Sequence, residues 1–160
     1  MPNFLEIQVG KLLHERGLKL VLAESCTGGL LGSHITDVPG SSEYFLGGVV
    51  AYAYEAKVAC LGVSWDTLNT KGAVSRETVL EMAHGVRALM KGDIAVAVSG
   101  IAGPGGGTPE KPVGTTWIGL VTAEAELAQL FHFSAEDREK NKVLAVDAAL
   151  QLLLDYLNAA

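Results

Sequence analysis

Apolar residues recur along this chain at two different spacings, and the way these alternate sets out a series of helices and strands. Leu5, Val9, Leu12 and Leu13 form a helical stripe ending at Gly17, and Asn3 with Glu6 has the form of a capped helix start. Lys19 to Ala23 is a short apolar run, as in a buried strand. Thr27 to Val38 reads as a helix stopped by Pro39 and Gly40. Gly47 to Tyr54 follows as a strand rich in valine and tyrosine, then Glu55 to Leu61 as a short helix closed by Gly62. Ser75 caps a longer helix in which Val79, Met82, Ala83, Val86 and Met90 recur at helical spacing, with Gly92 just past its end. Ile94 to Val98 is apolar throughout, as suits a central strand covered on both faces. Thr116 to Thr122 and Leu127 to Phe133 form a hairpin across the turn Ala123–Glu126. Ser134 and Asp137 open a last helix whose Val143, Val146, Leu150, Leu153 and Leu157 are expected to face inward.

Strands that alternate with helices and end in a hairpin predict an α/β fold, a three-layer α/β/α sandwich with a mixed, mostly parallel sheet. The 160 residues fit one domain. The one long irregular stretch is Ser99 to Thr115, and a loop of that length in a compact domain is more often functional than idle.

Composition narrows the function classes. With 49% hydrophobic and 19% charged residues the chain is not of the disordered kind. Its net charge of −6 argues against general binding to DNA or RNA, whose phosphates attract basic patches. An anionic small molecule is still admissible where a few cations converge. Cys26 and Cys60 make neither a disulfide framework nor a zinc cluster, and His14, His34, His84 and His132 show no metal-ligand spacing. No basic segment followed by a long apolar one marks the start, and no apolar stretch approaches 18 residues, so no membrane partner and a cytoplasmic location are expected.

Three segments, each following a predicted strand, can carry chemistry, and loops beyond the carboxyl ends of parallel strands meet in one place. In Glu24-Ser25-Cys26-Thr27-Gly28-Gly29 a sharp strand-to-helix turn through small residues exposes a serine hydroxyl and unpaired backbone N–H groups. Such a turn can hold an oxyanion beside a nucleophile; alternatively Ser25 or Thr27 simply caps the helix. Cys26 is a rival nucleophile without an adjacent histidine to activate it, and a small buried thiol is the other reading. In Tyr52-Ala53-Tyr54-Glu55-Ala56-Lys57 the lysine falls in the first turns of a helix, where the dipole and burial both disfavour an ammonium and favour a neutral amine. Tyr52 can orient that amine or relay a proton; the alternative is a solvated lysine after a core tyrosine. In Ser99 to Thr108 the glycines let backbone approach a ligand, without matching a Rossmann or Walker loop; a flexible surface loop is the alternative. Arg138, Lys140 and Lys142 can meet a substrate phosphate or form a solvated face.

Together these segments resemble the C-terminal domain of the competence/damage-inducible CinA family, a domain that also occurs alone as nicotinamide mononucleotide deamidase. The resemblance rests on Ala23–Gly29, Gly47–Tyr52, Lys57 with Leu61-Gly62-Val63, Gly72-Ala73-Val74-Ser75, Ala97–Gly106 and Lys111–Thr115, whose order and spacing cover nearly the whole chain. It implies an amidohydrolase that converts nicotinamide mononucleotide, a small pyridine nucleotide, to nicotinic acid mononucleotide and ammonia, on an α/β/α fold that commonly forms homo-oligomers. Carried over by position, Ser25 is the nucleophile and Lys57 the base, with Tyr52 beside it. Ser99, Gly100, Ala102, Gly103, Gly105 and Gly106 would hold the nucleotide, and Arg138 and Lys142 its phosphate. The chain departs from the family in having Ala53-Tyr54 where Ser-Asn is usual, and Lys142 where many relatives have a second arginine; a lysine keeps the charge but lacks the bidentate fork.

The reaction so drawn has neutral Lys57 taking the Ser25 proton, directly or through Tyr52, backbone N–H groups near Thr27, Gly28 and Gly29 holding the oxyanion, and an acyl-enzyme resolved by water, with no metal or other cofactor. Two other readings stand beside it: a domain that binds nucleotides without hydrolysing them, and an interaction module connected with competence.

Overall fold

The computed structural model describes residues 4–134 and 137–160, so Asn3 of the predicted first cap lies outside the described residues. In chain order the elements are α1 (Phe4–Arg16), β1 (Leu20–Glu24), α2 (Leu30–Thr36), β2 (Phe45–Val50), α3 (Tyr54–Leu61), α4 (Trp65–Lys71), α5 (Arg76–Met90), β3 (Ile94–Gly100), β4 (Thr115–Val121), β5 (Glu126–His132) and α6 (Arg138–Ala159). A single 3-10 turn, Ser41–Glu43, precedes β2.

The five strands form one sheet in the order β2-β1-β3-β4-β5. β1 pairs in parallel with β2 and β3, while β4 runs antiparallel to both β3 and β5. The fold is therefore α/β with a mixed sheet, parallel at its centre and antiparallel towards β5. Every residue of β1 is buried and so are Ile94–Ser99 of β3, because helices cover both faces. That double cover is why these two strands read as unbroken apolar runs.

The two cores divide by strand parity. Leu20, Leu22, Ile94, Val96, Val98, Ile118 and Leu120 pack on one face against Val9 and Leu13 of α1, Leu31 and Ile35 of α2, and Val146, Leu150, Leu153 and Leu157 of α6. Val21, Ala23, Ala95, Ala97 and Val121 point the other way, onto Leu61, Leu68, Val79, Met82, Ala83 and Val86 of α3, α4 and α5. Alanines on this second face let α5 lie close to the sheet. Ser75 caps α5 by accepting from the Thr78 amide at 3.1 Å, and Asp137 caps α6 by accepting from the Glu139 amide at 2.8 Å. Among the described residues no helix is long and apolar enough to cross a membrane.

Several boundaries differ from the sequence expectation. The helix expected from Thr27 begins at Leu30, because Gly28 (φ 60°) and Gly29 (φ 101°) take left-handed conformations that hold the chain in a turn. The strand expected over Gly47–Tyr54 starts at Phe45, stops at Val50, and Tyr54 already opens α3. Helix α4 has no counterpart in the expectation. Val143 is not inward-facing: it is 43% exposed.

Candidate active site

The register of the parallel strands brings the three candidate loops to one rim. Glu24 pairs with Val50 on one side and with Val98 on the other, so Ser25, Ala51 and Ser99 emerge side by side. Two further hydrogen bonds extend the pairing past the strand ends, from the Ser25 amide to the Val98 carbonyl and from the Ala51 amide to the Glu24 carbonyl, each 2.9 Å. The rim encloses a cleft of about 220 Å³. Ser25 and Cys26 line it from the first loop, Tyr52 and Lys57 from the second, and Ser99, Gly100, Ala102, Gly103, Gly105 and Gly106 from the third, with Arg138 at the start of α6.

Lys57 carries no exposed surface. Its Nζ lies 2.8 Å from Ser25 Oγ and 2.9 Å from each of the carbonyl oxygens of Ala51 and Tyr52. The two carbonyls can only accept, so they take two N–H bonds of the amine whatever its charge. The remaining valence faces Ser25. In the ammonium it is a third N–H; in the neutral amine it is the lone pair, aimed at the serine hydroxyl. Burial pulls the Lys57 pKa down from its ordinary 10.5 to about 8. At that value roughly a tenth of the amine is neutral at pH 7.

Two alternatives left open by the sequence are thereby decided. Lys57 is not a solvated lysine, and Ser25 is not the cap of α2. The N–H groups of the first turn of α2 are met instead by the buried Glu24 side chain, which accepts from the Leu31 and Gly32 amides at 2.9 Å each and from the Thr27 hydroxyl at 2.6 Å. Cys26 lines the cleft as well, but burial pushes its thiol up to about 11, so at neutral pH it is no thiolate.

Tyr52 acts on Lys57 through its carbonyl. Its side chain is 58% exposed, and its hydroxyl instead accepts from Arg138 Nη2 at 2.7 Å. Arg138 Nη1 donates to the Gly103 carbonyl at 2.6 Å, so the guanidinium spans the mouth from the second loop to the third. Ser99 is buried and donates its hydroxyl to the Ala73 carbonyl at 2.8 Å. Thr27, Gly28, Gly29 and Lys142 do not line the cleft. Thr27 is buried against Glu24, the Gly28 amide donates to the Ser25 carbonyl at 3.1 Å, and Lys142 Nζ stands 4.0 Å from where a β-carbon on Gly28 would lie.

Four residues of the site went unread from their own chemistry. Ala73 and Val74 line the cleft, Glu24 clamps the first loop, and Asn141 supports the third by donating from Nδ2 to the Ala102 carbonyl at 2.9 Å. A carboxylate ending a buried strand is a readable signal, since it needs donors nearby; apolar wall residues and a helical asparagine offer none.

The model of the CinA C-terminal domain family matches residues 3–157. A putative competence-damage inducible protein of Halothermothrix orenii is 51% identical over 150 residues, covering 94% of this chain and 36% of that protein. A CinA-like protein of Thermotoga maritima is 48% identical over 153 residues, covering 96% and 37%. The chain thus spans about a third of the length of these curated relatives. Among solved structures, the competence/damage inducible protein CihA from Agrobacterium tumefaciens superimposes with a TM-score of 0.92 at 39% identity, covering 99% of this chain and 98% of that one. The competence damage-inducible protein A (ComA) from Klebsiella pneumoniae gives 0.93 at 38% identity, covering 96% and 95%. With a match along nearly its full length and close agreement in fold, the chain belongs to the CinA C-terminal domain family.

Proposed function

We propose that this chain is an amidohydrolase acting on the carboxamide of a pyridine mononucleotide, with nicotinamide mononucleotide as substrate and Ser25 and Lys57 as its catalytic pair. The observation that carries the reading is the buried lysine amine 2.8 Å from the serine hydroxyl, with its other hydrogens committed to two carbonyls. A buried charge is costly, and a structural role would be met by an uncharged side chain. A base that must be neutral to work gains from that same burial.

In the reaction, Ser25 Oγ attacks the carboxamide carbon while its proton passes to the Lys57 lone pair. The developing oxyanion needs N–H donors. Ser25 spends its own amide on Val98 and Gly28 spends its amide on Ser25, so the expected use of Gly28 gives way to the Cys26 amide, next to the nucleophile. The Lys57 ammonium then protonates the departing nitrogen, which leaves as ammonia. Water attacks the acyl group, gives its proton to Lys57, and the serine recovers one in turn. In this reading the pyridine ring and its carboxamide enter the cleft and the ribose phosphate lies at the mouth, beside Arg138, which lines it.

Ammonia release from nicotinamide mononucleotide by wild type, Ser25→Ala and Lys57→Ala tests this directly. Both variants are expected to lose at least ~10³-fold in kcat, the scale of losing one oxyanion donor or more. Wild-type turnover in either folded variant excludes the pair.

A further inference from the structure

The Glu24 carboxylate is 4% exposed, ends a central strand and precedes the nucleophile directly. All three of its hydrogen-bond partners are neutral: the Thr27 hydroxyl and the amides of Leu31 and Gly32. A serine or asparagine at the N-cap satisfies a helix start at far lower desolvation cost than a buried carboxylate reaching up from the preceding strand. In α2 the N-cap is Gly29, which has no side chain to offer.

The arrangement clamps the loop that carries Ser25. The serine peptide is fixed on one side by its amide bond to Val98 and on the other by the bond from the Gly28 amide to its carbonyl. In the far half of the turn the Leu30 amide donates to the Thr27 carbonyl at 3.0 Å, and the Glu24 carboxylate gathers the Thr27 hydroxyl and the Leu31 and Gly32 amides. We propose that Glu24 is a positioning residue for the nucleophile, seconded by Thr27: by gathering these donors it holds the turn in the one shape that leaves Ser25 Oγ facing the Lys57 amine. This rests on the Ser25–Lys57 reading above, and it gives Thr27 a role behind the nucleophile instead of against the substrate.

The experiment uses a fluorophosphonate, which reports on the pair without any nucleotide. Ser25 Oγ forms a bond to phosphorus, fluoride leaves, and the serine proton passes to Lys57; intact mass follows the adduct, with ammonia release in parallel. Glu24→Gln keeps one acceptor oxygen for Thr27 and Leu31, which share Oε1, but turns an N–H donor towards the Gly32 amide and so replaces the third bond of the clamp by a donor–donor clash. Labelling and kcat are expected to fall about 10²-fold with KM within about threefold, the cost of displacing a reacting atom by ~1 Å. The midpoint of the labelling-versus-pH curve is expected not to rise above the wild-type value, because the carbonyl partners and burial of Lys57 are untouched and the loss of a nearby carboxylate charge can only lower it. Thr27→Val is expected to lose about tenfold and Thr27→Ser to restore the rate, and this second pair decides the matter if Glu24→Gln does not fold. Labelling of the variants at the wild-type rate overturns the proposal alone. So does a midpoint that rises as the rate falls, since that marks a general loosening that hydrates Lys57. A folded wild type that neither labels nor releases ammonia overturns the Ser25–Lys57 reading and the positioning role together.

Discussion

At the scale of single residues, Lys57 ties stability to pH through one proton and, as the proposed base, would tie activity to it as well. The unfolded chain holds that proton up to about 10.5, while the folded protein gives it up near 8. Below about 8 both states are protonated and the group contributes no slope. Between the two values the unfolded chain binds more protons, so the stability of the fold rises with pH there. Wild type is therefore expected to gain melting temperature relative to Lys57→Met between pH 8 and pH 10, in calorimetry of the two side by side. If Lys57 is the proposed base, kcat/KM is expected to rise about tenfold per pH unit and level off above about 8. A profile flat from pH 6 to pH 9 contradicts the lysine base. Tyr52 separates two roles in one residue, since its carbonyl holds Lys57 and its hydroxyl holds Arg138. Tyr52→Phe keeps the first and removes the second. Its kcat is expected within about threefold of wild type and its KM for the mononucleotide raised roughly tenfold, worth about 1.4 kcal/mol. A collapse of kcat at unchanged KM points instead to proton relay through the hydroxyl.

At the scale of elements, Lys57 is only as well placed as α3, and α3 packs on α5 with a close approach at Gly85. A β-carbon on Gly85 of α5 would stand 1.9 Å from the carbonyl oxygen of Leu61, the last residue of α3. Gly85→Ala cannot be absorbed by a rotamer, because the obstacle is backbone. It is expected to cost about 1–3 kcal/mol in chemical denaturation and, by tilting α3, to lower kcat more than the stability loss alone accounts for. Unchanged stability shows that α3 can slide freely. The same elements show what the sequence made legible. Long, amphipathic α5 and α6 and the apolar central strands were readable because one residue pattern meets one environment throughout. Helix α4 was not: with only Leu68 buried, it has no apolar stripe, and its start is marked by nothing more than the Ser64 hydroxyl accepting from the Asp66 amide. The early end of β2 was equally hidden. Ala51 to Ala53 look like more strand, yet they leave the sheet so that two successive carbonyls converge on Lys57. A tertiary demand overrides local propensity there.

At the scale of the molecule, the cleft joins loops from three parts of the fold. Its first loop belongs to α2, on one face of the sheet; its second to α3, on the other; its third leads from parallel β3 into antiparallel β4. The site was legible as three loops, since each follows a strand, but the contribution of α6 through Arg138 was legible only as a choice between phosphate contact and solvated face. A ligand seated there touches both helical layers and the end of α6, and binding to the folded state alone raises stability by RT ln(1 + [L]/Kd). Ser25→Ala keeps the cleft and removes the nucleophile, so it can be saturated without turnover. With nicotinamide mononucleotide at about 100 times Kd the expected gain is about 2.7 kcal/mol, or roughly 5–10 °C in melting temperature for a chain of this size. Arg138→Ala in the same background is expected to require about tenfold more ligand for the same rise, whereas the riboside, which lacks the phosphate, should stabilise both backgrounds equally and less. Equal stabilisation of the two backgrounds by the mononucleotide removes Arg138 from phosphate recognition. No stabilisation by any pyridine ligand, in a protein whose Ser25 still takes a fluorophosphonate, leaves the catalytic pair in place and assigns it to an amide of another chemical class.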